Sequence, residues 1–314
     1  DIVYVPRLWY TAIPLAKTYG KPVITHLHDY IPICPLSIFY DISKDSVCSH
    51  HSQLCPPTCI YVFERTHGRG YTEAIASTLL NSTLKHYAGN LIKLSDAIIC
   101  VSKTQRDIIT RELPYLDAKI KVIYNPLPEI SHIDIEGDDF GYFGGPNFLK
   151  GFHTLCQALM RTSNINSRLP SIHATKFQSI NEKLAETLRK LGFLLYGKLD
   201  NYEYEKLYKR VRAVIVPSIW NEPWGYVVVE ALTRGRFLVT SSSGSIPEQV
   251  KGCNGVILCE PGNSKELAEA IQFVSGLDRE EIIDFGFQNK EIYLKKFSDE
   301  STLRRFTSVC ENLT

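Results

Sequence analysis

The sequence lacks an excess of charge of either sign. Its 35 Lys and Arg stand against 34 Asp and Glu, a formal net charge of +1 over 314 residues. No basic surplus points to nucleic acid, and no acidic surplus points to a disordered chain. It lacks any apolar run near the roughly 20 residues that a membrane-crossing helix needs. It has no short-period repeat and no low-complexity tract, so it is not read as a solenoid or a linker. It also lacks the cysteine arithmetic of a disulfide scaffold. Nine cysteines are an odd number, in a chain of helical and parallel-strand patterns, which argues for a reducing compartment.

What is present is the composition of a soluble globular protein, 44% apolar and 22% charged, at a length that favours two domains over one core. Short, nearly all-apolar runs recur along the chain, among them "PVITHLH" (22–28), "AIICVS" (97–102), "FGYFGG" (140–145), "AVIVPS" (213–218) and "FLVTS" (237–241). Strands that are apolar on both faces belong to sheets covered on both sides. Helical patterns separate most of them, at 71–93, 103–112, 150–162, 180–190, 202–211, 225–234, 264–276 and 297–312. This alternation predicts an α/β fold with parallel sheets.

The stretch "NPLPEISHIDIEGDD" (125–139) carries two prolines and an acidic, glycine-containing tail between two strands, which marks a domain boundary. The expected division is 1–127, 128–295, and a last helix in 296–314 that returns to the first domain. Residues 30–60, rich in Pro, Cys, Ser and His, read as an irregular insertion in the first half.

Two stretches carry chemistry. In the strand–turn–helix at 140–151, Gly144 and Gly145 allow a ligand close to the backbone. The following helix offers unpaired N–H groups, and Lys150 can reach a phosphate as a point charge. The bland alternative is a tight turn with a surface lysine. In "PSIWNEPWGYVVVEALTRG" (217–235), the N–H groups of Gly225, Tyr226 and Val227 open a helix at the strand ends, where open α/β sheets bind ligands. A diphosphate fits such amides. Glu222 and Glu230 would repel it at contact distance, so they are assigned to vicinal hydroxyls, which a carboxylate binds through paired, charge-assisted bonds. A nucleotide sugar has hydroxyl pairs on both sides of its diphosphate. The alternative, two solvated acids in a first helical turn, is weaker for Glu230, which lies amid "VVVEAL".

Here the residues carry a resemblance. "YFGGPNFLKG", "LLYGKL", "VIVPSIWNEPWGYVVVEALTRG" and "SGSIPEQV" resemble the donor half of the family 4 glycosyltransferases, retaining enzymes of the GT-B fold. "PVITHLHDYIPICP", "SDAIICVSK" and "VIYNPL" resemble their first half. The resemblance implies two Rossmann-like domains with parallel sheets facing a central cleft. It implies Glu222 on the transferred sugar, Glu230 on the ribose, and Lys150 with the 225–227 amides on the diphosphate. Gly197, Lys198 and Trp224 would complete the donor site, and His28 would face the reacting carbon from the first domain. It implies a UDP-, GDP- or ADP-linked sugar donor, a glycan or lipid-linked acceptor, and no required metal or other cofactor.

Two departures are plain. Many members carry an Arg where this chain has Gly145, so one positive charge is absent. The strands that open the first domain in this family are also absent before "DIVYV", so the first domain is expected to be incomplete and the chain a fragment. Whether the chain acts without those strands is not decided by the sequence.

The resemblance further implies a cytoplasmic protein at the inner face of a membrane, with peripheral contact through the amphipathic stretch 71–93. A helix packed on its own sheet is the favoured reading of that stretch. No protein partner is predictable. The sugar, the base, the acceptor and the oligomeric state are not given. Two alternatives stay open: a nucleotide-sugar epimerase or phosphorylase of the same fold, and a non-catalytic nucleotide-sugar-binding or scaffold protein. Cys34, Cys48, Cys55 and Cys59, with His50 and His51 between them, form a candidate structural zinc site. Local disulfides and buried thiols are the alternatives. The other five cysteines read as small core residues.

Overall fold

The computed structural model describes all residues except Leu8, 49–55, 85–86, 128–133, 164–169 and Thr314. The chain divides into two compact units, Asp1–Pro126 with Asp299–Thr314, and Leu127–Ser298.

The first unit holds β1 (Val3–Pro6), α1 (Ala12–Thr18), β2 (Val23–Leu27), β3 (Tyr40–Asp41), β4 (Ser46–Val47), α2 (Pro57–Thr66), α3 (Tyr71–Leu84), α4 (Tyr87–Ile92), β5 (Ala97–Cys100), α5 (Lys103–Glu112) and β6 (Ile120–Val122). Its main sheet has the order β1-β2-β5-β6, and all its pairings are parallel. Every residue of β2 and β5 is buried, the polar Thr25 and His26 of β2 included. Ser102 ends the β5 run and caps α5 by accepting the Gln105 N–H at 3.0 Å, one of the donors a helix start leaves unpaired.

The structure differs from the sequence reading at two places, the insertion and the apolar side of α3. The insertion 30–60 is not wholly irregular: β3 and β4 pair antiparallel within it, and α2 starts at Pro57. The stretch 71–93 is helical in its described parts, α3 and α4, and residues 85–86 between them lie outside the described residues. The apolar side of α3 is not covered, since Tyr71, Ile75 and Leu79 are exposed. Among the described residues, no helix is long and apolar enough to cross a membrane.

The second unit runs β7 (Asp139–Tyr142), α6 (Phe152–Ser163), β8 (Ile172–Ala174), α7 (Glu182–Lys190), β9 (Phe193–Leu195), α8 (Asn201–Arg210), β10 (Val211–Val216), α9 (Tyr226–Thr233), β11 (Phe237–Ser241), α10 (Ile246–Val250), β12 (Val256–Cys259), α11 (Ser264–Gly276) and α12 (Arg279–Lys296). Six strands form one sheet in the order β12-β11-β10-β7-β8-β9, parallel throughout. The core on one face gathers Phe140, Tyr142, Leu155, Leu159, Ile172, Phe193, Ile215, Val239 and Ile271. Burying each large side chain contributes roughly 1.5–3 kcal/mol.

The chain builds outward from β7 through β8 to β9, then returns through α8 to place β10 on the other side of β7. The loops after β7 and β10 therefore leave the sheet side by side in opposite senses. That is the switch point where α/β sheets open a crevice at their carboxyl ends.

The last helix, α13 (Asp299–Glu311), belongs to the first unit. Its Val309 packs with Ile24, Ala97, Ile99 and Ile123, and Phe306 meets Tyr4 edge to face at 5.7 Å.

Candidate active site

A cavity of 210 Å³ lies at the switch point of the second unit. Three loops build it: Phe143 and Gly144 to Lys150 after β7, Lys176 after β8, and Ser218 through Val227 after β10.

Glu222 is its central charge, 6% exposed. A carboxylate so buried must be paired. Lys150 Nζ donates to Glu222 Oε2 at 2.6 Å, and Trp220 Nε1 donates to the same oxygen at 3.1 Å. Ser218 Oγ stands 3.5 Å from it. Among the described residues, Oε1 accepts none of these bonds. The Lys150 ammonium also sits 5.3 Å from the Trp220 ring centre, within cation–π range. Lys150 is fixed at its base, where its backbone N–H donates to Asn147 Oδ1 at 3.2 Å. The sequence reading gave Lys150 and Glu222 separate ligands; the structure joins them in one ion pair.

The loop that holds Glu222 is pressed from behind. Ser245 N–H donates to the Glu222 carbonyl at 2.8 Å. Gly244, at φ +55, lies so close that a Cβ there would stand 2.2 Å from the Glu222 nitrogen. Only glycine fits that approach and that conformation.

The helix N-terminus at α9 lines the cavity through Gly225, Tyr226 and Val227. The first N–H groups of a helix have no acceptor within it, and the dipole favours an anion there. One of the three amides is used internally: Gly225 N–H donates to Gln249 Oε1 at 3.1 Å. Trp224 lines the cavity too, and its ring is buried edge-on to Phe297 at 5.2 Å.

Other predicted residues stand apart from this cavity. Glu230, on α9, accepts from Tyr204 Oη at 2.7 Å and does not line it. Burial, with the neighbouring Tyr208 and Glu230, pushes the Tyr204 phenol far up, so it remains a donor. Gly197 and Lys198 follow β9, and the Gly197 carbonyl accepts the Lys176 N–H at 3.0 Å. Gly145 takes φ +67 beside Lys176, and its carbonyl accepts from Tyr142 Oη at 2.8 Å.

His28 belongs to the first unit, just beyond β2. It is half-buried, and its ring stands 4.2 Å from that of His26. Burial and the Arg7 cation push the His28 imidazole below its ordinary value, so it is neutral at pH 7. Burial, with His28 close by, takes His26 down to about 3. Burial raises the Asp29 carboxyl.

The zinc proposal falls partly outside the described residues, because Cys55, His50 and His51 are not described. Cys34 and Cys59 are buried. Burial pushes the Cys34 thiol up and the Cys59 thiol up to about 11. Among the described residues, no group of three His, Cys, Asp or Glu is placed to hold a metal ion.

Sequence reasoning missed three contributors: Lys176, Trp220 and Gln249. Trp220 lay inside the quoted motif, two residues before Glu222. Gln249 lay inside "SGSIPEQV". Lys176 had no sequence signal.

The model for the glycosyl transferases group 1 matches residues 149–283, and that for glycosyltransferase family 4 matches residues 1–129. The chain is 27% identical to a glycogen synthase of Mycobacterium tuberculosis over 267 residues, which is 81% of this chain and 60% of that enzyme. It is 24% identical to an alpha-maltose-1-phosphate synthase of Mycolicibacterium smegmatis over 236 residues, which is 66% of this chain and 60% of that protein. The chain thus spans about 60% of the length of these curated relatives. Among solved structures, HepE of Anabaena in complex with UDP-glucose matches with a TM-score of 0.66 at 18% identity, covering 99% of this chain and 79% of that one. With both units matched by models of one group and a fold shared with such enzymes, the chain belongs to the group 1, family 4 glycosyltransferases of the GT-B fold.

Proposed function

We propose that this chain acts as a retaining glycosyltransferase, moving a sugar from a nucleotide-diphosphate sugar to a hydroxyl of a saccharide or lipid-linked acceptor. The observation that carries the reading is the meeting of Lys150, buried Glu222 and the α9 N-terminus in one cavity at the switch point. A diphosphate placed there meets a cation and a helix dipole, which stabilise the charge it gains on leaving. Glu222 Oε1 accepts from the sugar hydroxyls, while Oε2 is held by Lys150 and Trp220.

In the reaction, the bond from the anomeric carbon to the phosphate oxygen breaks and its electron pair stays with the diphosphate. The acceptor oxygen then bonds to that carbon on the same face, and its proton passes to a phosphate oxygen. The family resemblance assigns neutral His28 of the first unit to the reacting carbon. The family supports this reading, as do the names of the relatives and the UDP-glucose held by the Anabaena protein. Residence in the cytoplasm against the inner face of a membrane, in the building of envelope glycans, is part of the same proposal. The exposed Tyr71, Ile75 and Leu79 on α3 support the membrane contact.

Product analysis with UDP-, GDP- and ADP-sugars and glycan acceptors tests the proposal. The expected result is a new glycosidic bond of the donor's anomeric configuration, read by NMR. An inverted product overturns retention. A released or epimerised sugar without transfer points to the epimerase, and nucleotide binding without turnover points to a binding protein.

A further inference from the structure

We propose that Lys176 is a second cation on the donor diphosphate, acting beside Lys150; this rests on the nucleotide-sugar reading above. Lys176 lines the same cavity as Gly144, Lys150, Glu222 and the α9 N-terminus. It arrives there from a separate loop, the one after β8.

Charge balance makes a second cation necessary. Lys150 is bound at 2.6 Å to a buried carboxylate, so the pair together brings little net positive charge. Each phosphate of a diphosphate ester carries a negative charge, and the helix N-terminus offers only partial charges against it. Lys176 is exposed, and among the described residues its ammonium forms no ion pair. Its charge is therefore available to a ligand.

The backbone holds Lys176 in an unusual state. Its φ is +70, a conformation that glycine adopts freely and that a lysine adopts at a cost. Neighbouring strands enforce it. Thr175 N–H donates to Tyr142 O at 3.2 Å, Lys176 N–H to Gly197 O at 3.0 Å, and Phe177 N–H to Tyr196 O at 2.9 Å. Strained residues of this kind cluster at ligand sites.

The same corner explains Gly145. A Cβ at Gly145 would lie 3.3 Å from the Lys176 Cβ, and Gly145 itself stands at φ +67. A long side chain at 145 and one at 176 would compete for this space. The corner thus has room for one long side chain, and the chain places it on the β8 loop, opposite Lys150 on the β7 loop.

Titration calorimetry with UDP, GDP and ADP, and with the matching nucleoside monophosphates, tests the assignment on the whole chain. For the base that binds, Lys176→Gln and Lys176→Gly are expected to weaken the diphosphate about tenfold or more, with a smaller loss for the monophosphate. Lys176→Arg is expected to keep most of the affinity. Lys176→Gly is also expected to melt no lower than the wild type, because φ +70 suits glycine. Loss of affinity in a fold at least as stable separates a ligand contact from a structural role. Diphosphate binding unchanged in both variants would overturn this assignment and leave the donor site standing. No binding of any nucleotide by the wild-type chain would overturn both.

Discussion

The second unit carries six parallel strands that reverse direction of growth at β7 and β10, and the first carries four in the order β1-β2-β5-β6. In the second unit the reversal opens a crevice, and three loops fill it with a buried carboxylate, two lysines and a helix N-terminus. The first unit places its candidate, His28, at the end of a strand beside His26 and Asp29, and burial shifts all three groups toward neutrality. The lesson is one of division. The charged network proposed for the donor is one that one unit assembles alone, whereas the residue assigned to the reacting carbon belongs to the other and contributes no charge.

The sharpest way to break this picture is to disturb the loop that carries Glu222. Gly244→Ala puts a methyl where the Glu222 nitrogen already stands, in a conformation alanine avoids. A loss of about 2–4 kcal/mol is expected, in the range of severe overpacking, read as a lower urea midpoint, together with loss of nucleotide binding. A neutral result would mean the loop has room to move.

A second substitution separates the two units by function. His28→Ala is expected to lower turnover on the order of 100-fold, the usual cost of a small misplacement of the reacting group. The stabilisation given by nucleotide should stay unchanged, because no nucleotide-binding group has been removed. Equal losses of turnover and nucleotide affinity would contradict the division.

Acid separates them by stability. His26 binds its proton with a pKa of about 6.5 in the unfolded chain and of about 3 in the fold. Below pH 6.5 the unfolded chain takes up a proton that the fold refuses. Stability therefore falls as pH drops from about 6.5 toward 3, by about 1 kcal/mol per pH unit for one such group. His28, also lowered, adds to the upper part of that window. Asp29, whose pKa is raised, works oppositely and offsets part of the loss at its acid end. His26→Gln should flatten the slope of melting temperature against pH, and an unchanged slope would remove His26 from the account.

The smallest effect is expected at α13. Arg304 and Glu300 pair at 2.6 Å with both side chains more than three-quarters exposed, so Arg304→Ala should change stability by less than about 0.5 kcal/mol. It serves as the neutral reference for the three substitutions above.

The strands of both sheets were legible because burial on two faces leaves unbroken apolar runs, as in "AIIC" and "AVIV". The site motif was legible where its parts are contiguous, from Glu222 to Val227. Other features depend on what the chain meets after folding. The β3–β4 hairpin is two residues per strand, too short for a periodic signal. The Lys150–Glu222 pair joins residues 72 apart. The left-handed turn at Lys176 is imposed by neighbouring strands, and nothing in "ATKFQ" announces it.

The most direct test of the central claim, that the second unit holds a nucleotide-diphosphate sugar at the switch point, is thermal unfolding of the chain with UDP, GDP, ADP and their sugars. At about 100 times its dissociation constant, a ligand bound only to the fold stabilises it by about 2.7 kcal/mol. The account predicts a clear rise with one nucleotide family, kept in Arg304→Ala and lost in Lys150→Ala. No rise with any of them, or a rise that survives Lys150→Ala undiminished, would contradict it.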